Sequence, residues 1–212
     1  MEPEVRNILQ KTREISGEVS IRDITMRQLA ERIGVAYETL KAHFRNKADL
    51  VKEALAYERE GFQSIFDQYD FDGTNAIDIL MIVSREISQR YHQVSPSLTT
   101  ELKKYFPDIY EQHLKSRIDF IFGKININLT KGISQGMYRS DLSIELVSRL
   151  YISRLLDIHD PNFFPPDRFS FHTLFTVMFE DFVRSIATPD GLAYFEQRRG
   201  QFARLHARAN HP

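Results

Sequence analysis

Within the segment ITMRQLAERIGVAYETLKAHFRNKADL, residues 24–50, polar side chains recur at spacings that suit contact with nucleic acid. If the stretch after Val35 is helical, Tyr37, Glu38, Lys41 and Ala42 fall on its outer side, with Thr39 and His43 at the flanks. Tyr37 can stack or donate a hydrogen bond, Glu38 can accept from a cytosine amino group, and Lys41 can reach guanine or phosphate. Thr25 and the helix start that holds Lys47 can donate to phosphate oxygens. Each residue also has an ordinary alternative. A helical Lys or Glu is usually just solvated, Thr25 caps its helix whatever else it does, Tyr37 could pack across the turn, and His43 beside Phe44 could be a satisfied structural histidine.

Other chemistries have less support. There is no Cys, which excludes disulfides, thiolate metal sites, cysteine nucleophiles and redox thiols. HExxH, a glycine-rich phosphate loop and paired Glu with ExxH are all missing, and His92, His113, His159 and His172 have no sequence-near ligand at metal spacing. The expectation is a protein that is not an enzyme and uses no cofactor and no metal. No run of 18 apolar residues occurs, and the first 20 residues carry charge throughout instead of a secretory pattern. That predicts a soluble, cytoplasmic chain with no membrane partner. The 28 basic and 29 acidic residues nearly cancel, yet residues 25–52 hold six basic against three acidic. The mildly basic stretch therefore coincides with the polar row.

The elements that must position this row follow from local signals. Thr25 caps a helix over Met26–Ile33, with Met26, Leu29, Ala30 and Ile33 on one face. Gly34 stops it in a left-handed conformation, Val35 begins a tight turn, and Leu40 and Phe44 face inward from the next short helix. Asn46 caps the following helix, with Asp49 placed for a variant capping box. Two short helices joined by a glycine turn, with small Ala30 where their axes approach, make a helix-turn-helix.

Elsewhere apolar residues repeat at helical spacing, and the fold class is all-α. One stripe runs from Asn46 to Tyr69, and a second helix, capped by Thr74, carries Ile77, Leu80, Met81, Val83 and Ile87. Pro96 and Pro107 each start a helix. Residues 124–129 alternate like a strand, but the longer window from Leu114 to Ile133 predicts one helix of about 28 residues, roughly 40 Å. Helices follow from Ser143 to about Asp157 and from about Phe169 to Ile186, parted by a proline-stiffened loop. Seven of the 16 Phe lie between residues 163 and 182, more aromatic surface than one packing partner hides. The choice is between a central core helix and one shared between core and dimer interface, and the second is favoured. The tail from Gln197 is expected to fray.

The segments ILQKTREI and IRDITMRQLAERIGVAYETLKAHFRNKADLV resemble, without gaps over residues 8–51, the N-terminal DNA-binding domain of TetR-type transcriptional regulators. Thr25, Leu29, Ala30, Gly34, Val35, Thr39, Leu40, His43, Phe44, Lys47 and Leu50 sit where that pattern expects them. YFPDIYE, GMYRSDLS and the Phe-rich helix are similar to one branch of the family. Departures are Ser16, Gly17, Glu18 and Ser20 at the end of the first helix, Ala36 in place of a small hydroxyl residue, Lys41 in place of a frequent tyrosine and Glu38 in place of a frequent glycine.

The resemblance implies a TetR-like architecture: a three-helix helix-turn-helix DNA-binding domain over residues 1–47, and a larger helical bundle over 48–212 that dimerises and binds a small effector. It implies Tyr37 and Glu38 as base-contact candidates and Thr25, Thr39, Lys41, His43 and Lys47 as phosphate-contact candidates. The partners would be double-stranded DNA with a near-palindromic operator, a second copy of the chain, and a small-molecule effector whose binding releases the DNA. Phe62, Phe66, Met81, Tyr91, Ile118 and Phe122 are candidate effector-lining residues, with plain core packing as the alternative for each. Rival readings are a dimeric helical adaptor that has lost DNA binding and a cofactor-free helical enzyme.

Overall fold

In the computed structural model, residues 1–16, 19–90, 96–158 and 160–209 are described, with side chains for all of these except 96, 97 and 201–209. Gly17, Glu18, Tyr91, His92 and His159 lie outside the described residues. The elements are α1 (Pro3–Ile15), α2 (Met26–Ile33), α3 (Tyr37–His43), α4 (Lys47–Asp67), α5 (Ala76–Arg90), α6 (Pro96–Tyr105), α7 (Pro107–Ser134), α8 (Ile144–Asp157), α9 (Phe171–Ile186) and α10 (Pro189–Ala209). Among the described residues the extended pairing is one antiparallel bridge between Tyr138 and Ala187. No helix among them is long and apolar enough to cross a membrane.

The chain divides into two compact units, one of residues 1–68 with 93–119 and one of residues 69–92 with 120–212. In the first, α1, α2, α3 and the start of α4 enclose Ile8, Leu9, Leu29, Ala30, Ile33, Leu40, Phe44 and Leu50. A smaller cluster joins Val51 and Leu55 of α4 to Leu102 of α6, with Ile21, Phe106 and Tyr110 around it. In the second, α5, α8, α9, α10 and the later part of α7 share a core containing Ile77, Leu129, Tyr151, Phe175, Phe179, Phe182 and Phe195. Two of its buried polar groups are satisfied in series: Tyr138 Oη donates to Asn128 Oδ1 at 3.1 Å, and Asn128 Nδ2 donates to the Ala76 carbonyl at 2.9 Å. Burial pushes the Tyr138 hydroxyl pKa up, so it remains a donor.

Most element boundaries fall where capping chemistry places them. Ser143 Oγ accepts from Leu146 N–H, and Ser170 Oγ accepts from Thr173 N–H, so α9 starts at Phe171 rather than Phe169. Residues 124–129 are helical, because the three- and four-residue spacing buries Ile125 and Leu129 together. Two expectations need correcting. The Ile77 N–H donates to Asn75 Oδ1 at 2.8 Å, so Asn75 rather than Thr74 caps α5. The stretch from Gln197 is helical rather than irregular, continuing α10 to Ala209. Arg198 Nε donates to Asp78 Oδ1 at 2.7 Å and Tyr194 Oη to Asp78 Oδ2 at 2.6 Å, while Arg199 pairs with Glu180.

Two glycines of α7 make the packing testable. A Cβ on Gly132 would collide with the fully buried ring of Tyr138, whereas one on Gly123 would meet nothing within 4 Å. Gly123→Ala should therefore raise stability by up to about 1 kcal/mol through helix propensity alone. Gly132→Ala should lose about 1–2 kcal/mol net, since overpacking outweighs the same propensity gain. Urea denaturation of the two variants should move the midpoint in opposite directions.

Candidate nucleic-acid interface

The reading head is assembled from local chemistry. At the start of α2, Gln28 N–H donates to Thr25 Oγ1 at 3.2 Å and Thr25 N–H donates to Gln28 Oε1 at 2.9 Å, a reciprocal capping box. At its end Gly34 has φ +69°, Val35 N–H reaches the Ala30 carbonyl at 2.9 Å, and Gly34 N–H reaches that of Glu31 at 3.2 Å. This is a Schellman stop, and it turns the chain within two residues. Lys11 of α1 closes it, its ammonium donating to the Ile33 carbonyl at 2.9 Å.

The turn leads into α3, which buries Leu40 and, just past its end, Phe44. That fixes the opposite side outward: Glu38, Lys41 and Ala42 are exposed, and Tyr37, Thr39 and His43 are half-buried. Ala36 precedes α3 without a side-chain cap, as its methyl group requires. Asn46 caps α4 by accepting from Asp49 N–H at 2.9 Å. The return bond of Asp49 goes to the N–H of Arg45, at 3.3 Å, one residue earlier than a regular box. Arg45 also grips that carboxylate through Nε at 2.8 Å and Nη2 at 2.9 Å. Hydrogen bonding from Arg45 holds the Asp49 carboxyl at a pKa of about 2, below its ordinary range, so it stays ionised at neutral pH.

Several of the sequence-identified residues already have protein partners. His43 Nε2 lies 3.1 Å from Glu4 Oε2 of α1. The Lys47 ammonium donates to the carbonyls of Ile21 and Arg22, both at 2.9 Å. From the other side Glu101 of α6 accepts from the N–H groups of Ile21 at 2.7 Å and Arg22 at 3.4 Å. The loop before α2 is thus clamped between α4 and α6. Thr25 is occupied by its cap, leaving Glu38 and Lys41 as the most outward polar pair.

Arg27 belongs with this set, although it was not singled out from the sequence. Its guanidinium stands over the Tyr37 ring, 4.5 Å from the centroid, so the tyrosine is held in place while its hydroxyl edge remains half-exposed. The signal that could have found it is the tight turn, which brings the first turn of α2 against the first turn of α3.

The six effector candidates are distributed over both units. Phe62, Phe66 and Ile118 belong to the first, Met81 and Phe122 to the second, and Tyr91 is outside the described residues. All five described side chains are half-buried. Arg117 lies over Phe62 and Arg149 over Phe122, with guanidinium-to-centroid distances of 5.6 and 5.2 Å. A cavity of about 80 Å³ in the first unit is lined by other residues, among them Ile15, Ile24, Leu50, Val51 and Leu98. Among the described residues no three His, Asp or Glu cluster as metal ligands.

The family model described as bacterial regulatory proteins, tetR family, matches residues 8–54. Nothing among curated proteins matches the sequence. The fold is similar to that of a solved TetR transcription regulator from Haloarcula marismortui, with TM-score 0.70 and 16% identity over 87% of this chain and 98% of that one. It is also similar to a TetR-family regulator from Rhodococcus sp., with TM-score 0.67 and 15% identity over 88% and 100% of the two chains. A third similar structure is NalD of Pseudomonas aeruginosa, the secondary repressor of the MexAB-OprM multidrug efflux pump, with TM-score 0.57 and 16% identity over 88% and 98%. Residues 8–54 thus match the tetR family model, and the fold of the chain as a whole is similar to those of solved TetR-family regulators.

Proposed function

We propose that the chain is a cytoplasmic, homodimeric repressor that binds a near-palindromic operator in double-stranded DNA and leaves it when a small molecule binds. The reading head is residues 1–47, and residues 48–212 dimerise and take the effector. The observation that carries this reading is the outward row on α3, fixed by the burial of Leu40 and Phe44 in a helix-turn-helix. Tyr37 and Glu38 read base edges, while Thr25, Thr39, Lys41, His43 and Lys47 serve the backbone. For His43 and Lys47 this means exchanging Glu4 and the loop carbonyls for phosphate oxygens.

Pairing is assigned to α8 and α9, where Leu146, Leu150 and Val177 remain more than half exposed despite being apolar. Beside them a groove of about 560 Å³ is lined by Phe163, Phe164, Phe169, Leu174 and Met178, among others. The same α9 buries Phe175, Phe179 and Phe182 in its own core, and a partner over Val177 would supply coverage from the second side. A second copy covering this face places two heads one or more DNA turns apart, about 34–36 Å each. Repression follows the precedent of NalD. Effector release is assigned to the aromatic and aliphatic faces holding Phe62, Phe66, Met81, Ile118 and Phe122, through different affinities for the DNA-bound and free dimers. The role is a binding one, with no catalytic step and no cofactor assigned.

Gel shift against fragments of the source genome at low salt should give a discrete band that weakens steeply as salt rises. An adaptor without DNA binding would give none. Lys41→Ala should weaken binding to all duplexes and lower the salt slope by about one, whereas Tyr37→Ala should change sequence preference by about 1–3 kcal/mol. Equal losses on every sequence would remove base reading from Tyr37. Leu150→Glu with Val177→Glu should leave the helical signal in circular dichroism unchanged yet give a monomer in sedimentation. A persistent dimer would place the interface elsewhere.

A further inference from the structure

Within the first unit, the α4 and α7 faces carry charge that DNA reading does not use. Leu55, Glu58, Arg59 and Phe62 recur at helical spacing on α4, and Tyr110, His113 and Arg117 do so on α7. The two faces meet where Arg59 Nη1 lies 3.1 Å from His113 Nδ1. His113 is only 5% exposed. Burial lowers its pKa, Arg117 and Arg59 act in the same direction, and Glu58 and a hydrogen bond to the Leu55 backbone oppose them. The imidazole is therefore neutral at pH 7. Because a guanidinium offers donors only, the Nδ1 that faces it accepts from Arg59. His113 thus aims a guanidinium that it cannot neutralise.

Arg117 is in a similar position. Its guanidinium lies over Phe62, and its Nε is buried with no hydrogen-bond partner. Among the described residues neither Arg59 nor Arg117 has a carboxylate partner. With two half-buried guanidiniums and one carboxylate, Glu58, acting on the same imidazole, positive charge exceeds negative on this face, which favours a further anion. A guanidinium offers donors only, in a planar fork that fits the two oxygens of a carboxylate, and the flanking Phe62 and Tyr110 rings suit an apolar body.

We propose that this α4–α7 face binds an amphipathic organic acid, with Arg59 and Arg117 on its carboxylate, His113 as the positioning residue for Arg59, and Phe62 against its apolar part. The inference rests on the effector reading above and names the chemical class of that effector. Full-length protein is titrated calorimetrically with decanoate and benzoate and with their uncharged counterparts decanol and benzyl alcohol, and each compound is then added to the protein–DNA complex. The acids should bind the wild type at least about tenfold more tightly than the alcohols and release DNA. Arg59→Gln and Arg117→Gln should each lose about tenfold to a hundredfold in acid affinity, with alcohol affinity and ligand-free DNA binding unchanged. His113→Asn, which keeps an acceptor for Arg59, should retain acid binding, and His113→Leu should not.

Acids and alcohols binding alike, or Gln variants that bind acids as the wild type does, would overturn the inference. Release of DNA by any of the compounds in that case would leave the effector reading standing. Acid binding with the stated losses but no release of DNA would keep the inference and remove the effector reading. If none of the compounds binds or releases DNA, the inference fails, and the effector reading loses its support on this face.

Discussion

The angle between α2 and α3 depends on one backbone conformation, the φ of +69° at Gly34. Any residue with a Cβ would meet a steric cost there of about 1–2 kcal/mol. That turn lets Ala30, fully buried, sit where the two helices approach, and it sends Leu40 and Phe44 into the same core. Once those two are inside, helical geometry leaves Glu38 and Lys41 outside, with Tyr37 at the edge under Arg27. The outward row is therefore a consequence of apolar burial and holds its shape before any partner arrives. Such preorganisation lowers the ordering cost of association.

The loop that enters α2 is constrained just as closely. Both peptide N–H groups and both carbonyls of Ile21 and Arg22 have side-chain partners, Glu101 from α6 and Lys47 from α4. A buried or half-buried loop needs such partners for its backbone. The arrangement has a functional cost, because the Lys47 ammonium is busy in the free protein. A phosphate would have to outcompete two carbonyls for it, while Lys41 carries no such tie. The head and α6 also share this contact, so displacement of α6 would act directly on the start of α2.

The head was legible in the sequence because each signal is local. Thr25 as the cap of α2, Gly34 with Val35, and Asn46 with Asp49 are signals within four residues, and each forms in the structure. The long α7 was legible for a related reason, since a wide window outweighs six alternating residues. What escaped depends on contacts far apart in the chain. Lys47 and His43 meet partners 26 and 39 positions away, and neither engagement leaves a local pattern. The last helix escaped too, because Arg198 and Tyr194 are anchored on Asp78, at separations of 120 and 116 residues. A basic, weakly periodic segment looks unstructured until that carboxylate is supplied. Arg27 was passed over because its value lies in the ring it covers, and that proximity exists only after the turn has formed.

Hydroxyl-radical footprinting on an operator fragment tests the central claim most directly. The account predicts two protected patches on one face of the duplex, related by approximate two-fold symmetry and centred a whole number of helical turns apart, about 10–10.5 base pairs each. A single unsymmetric patch, or uniform protection without helical phasing, would contradict a paired and rigid reading head.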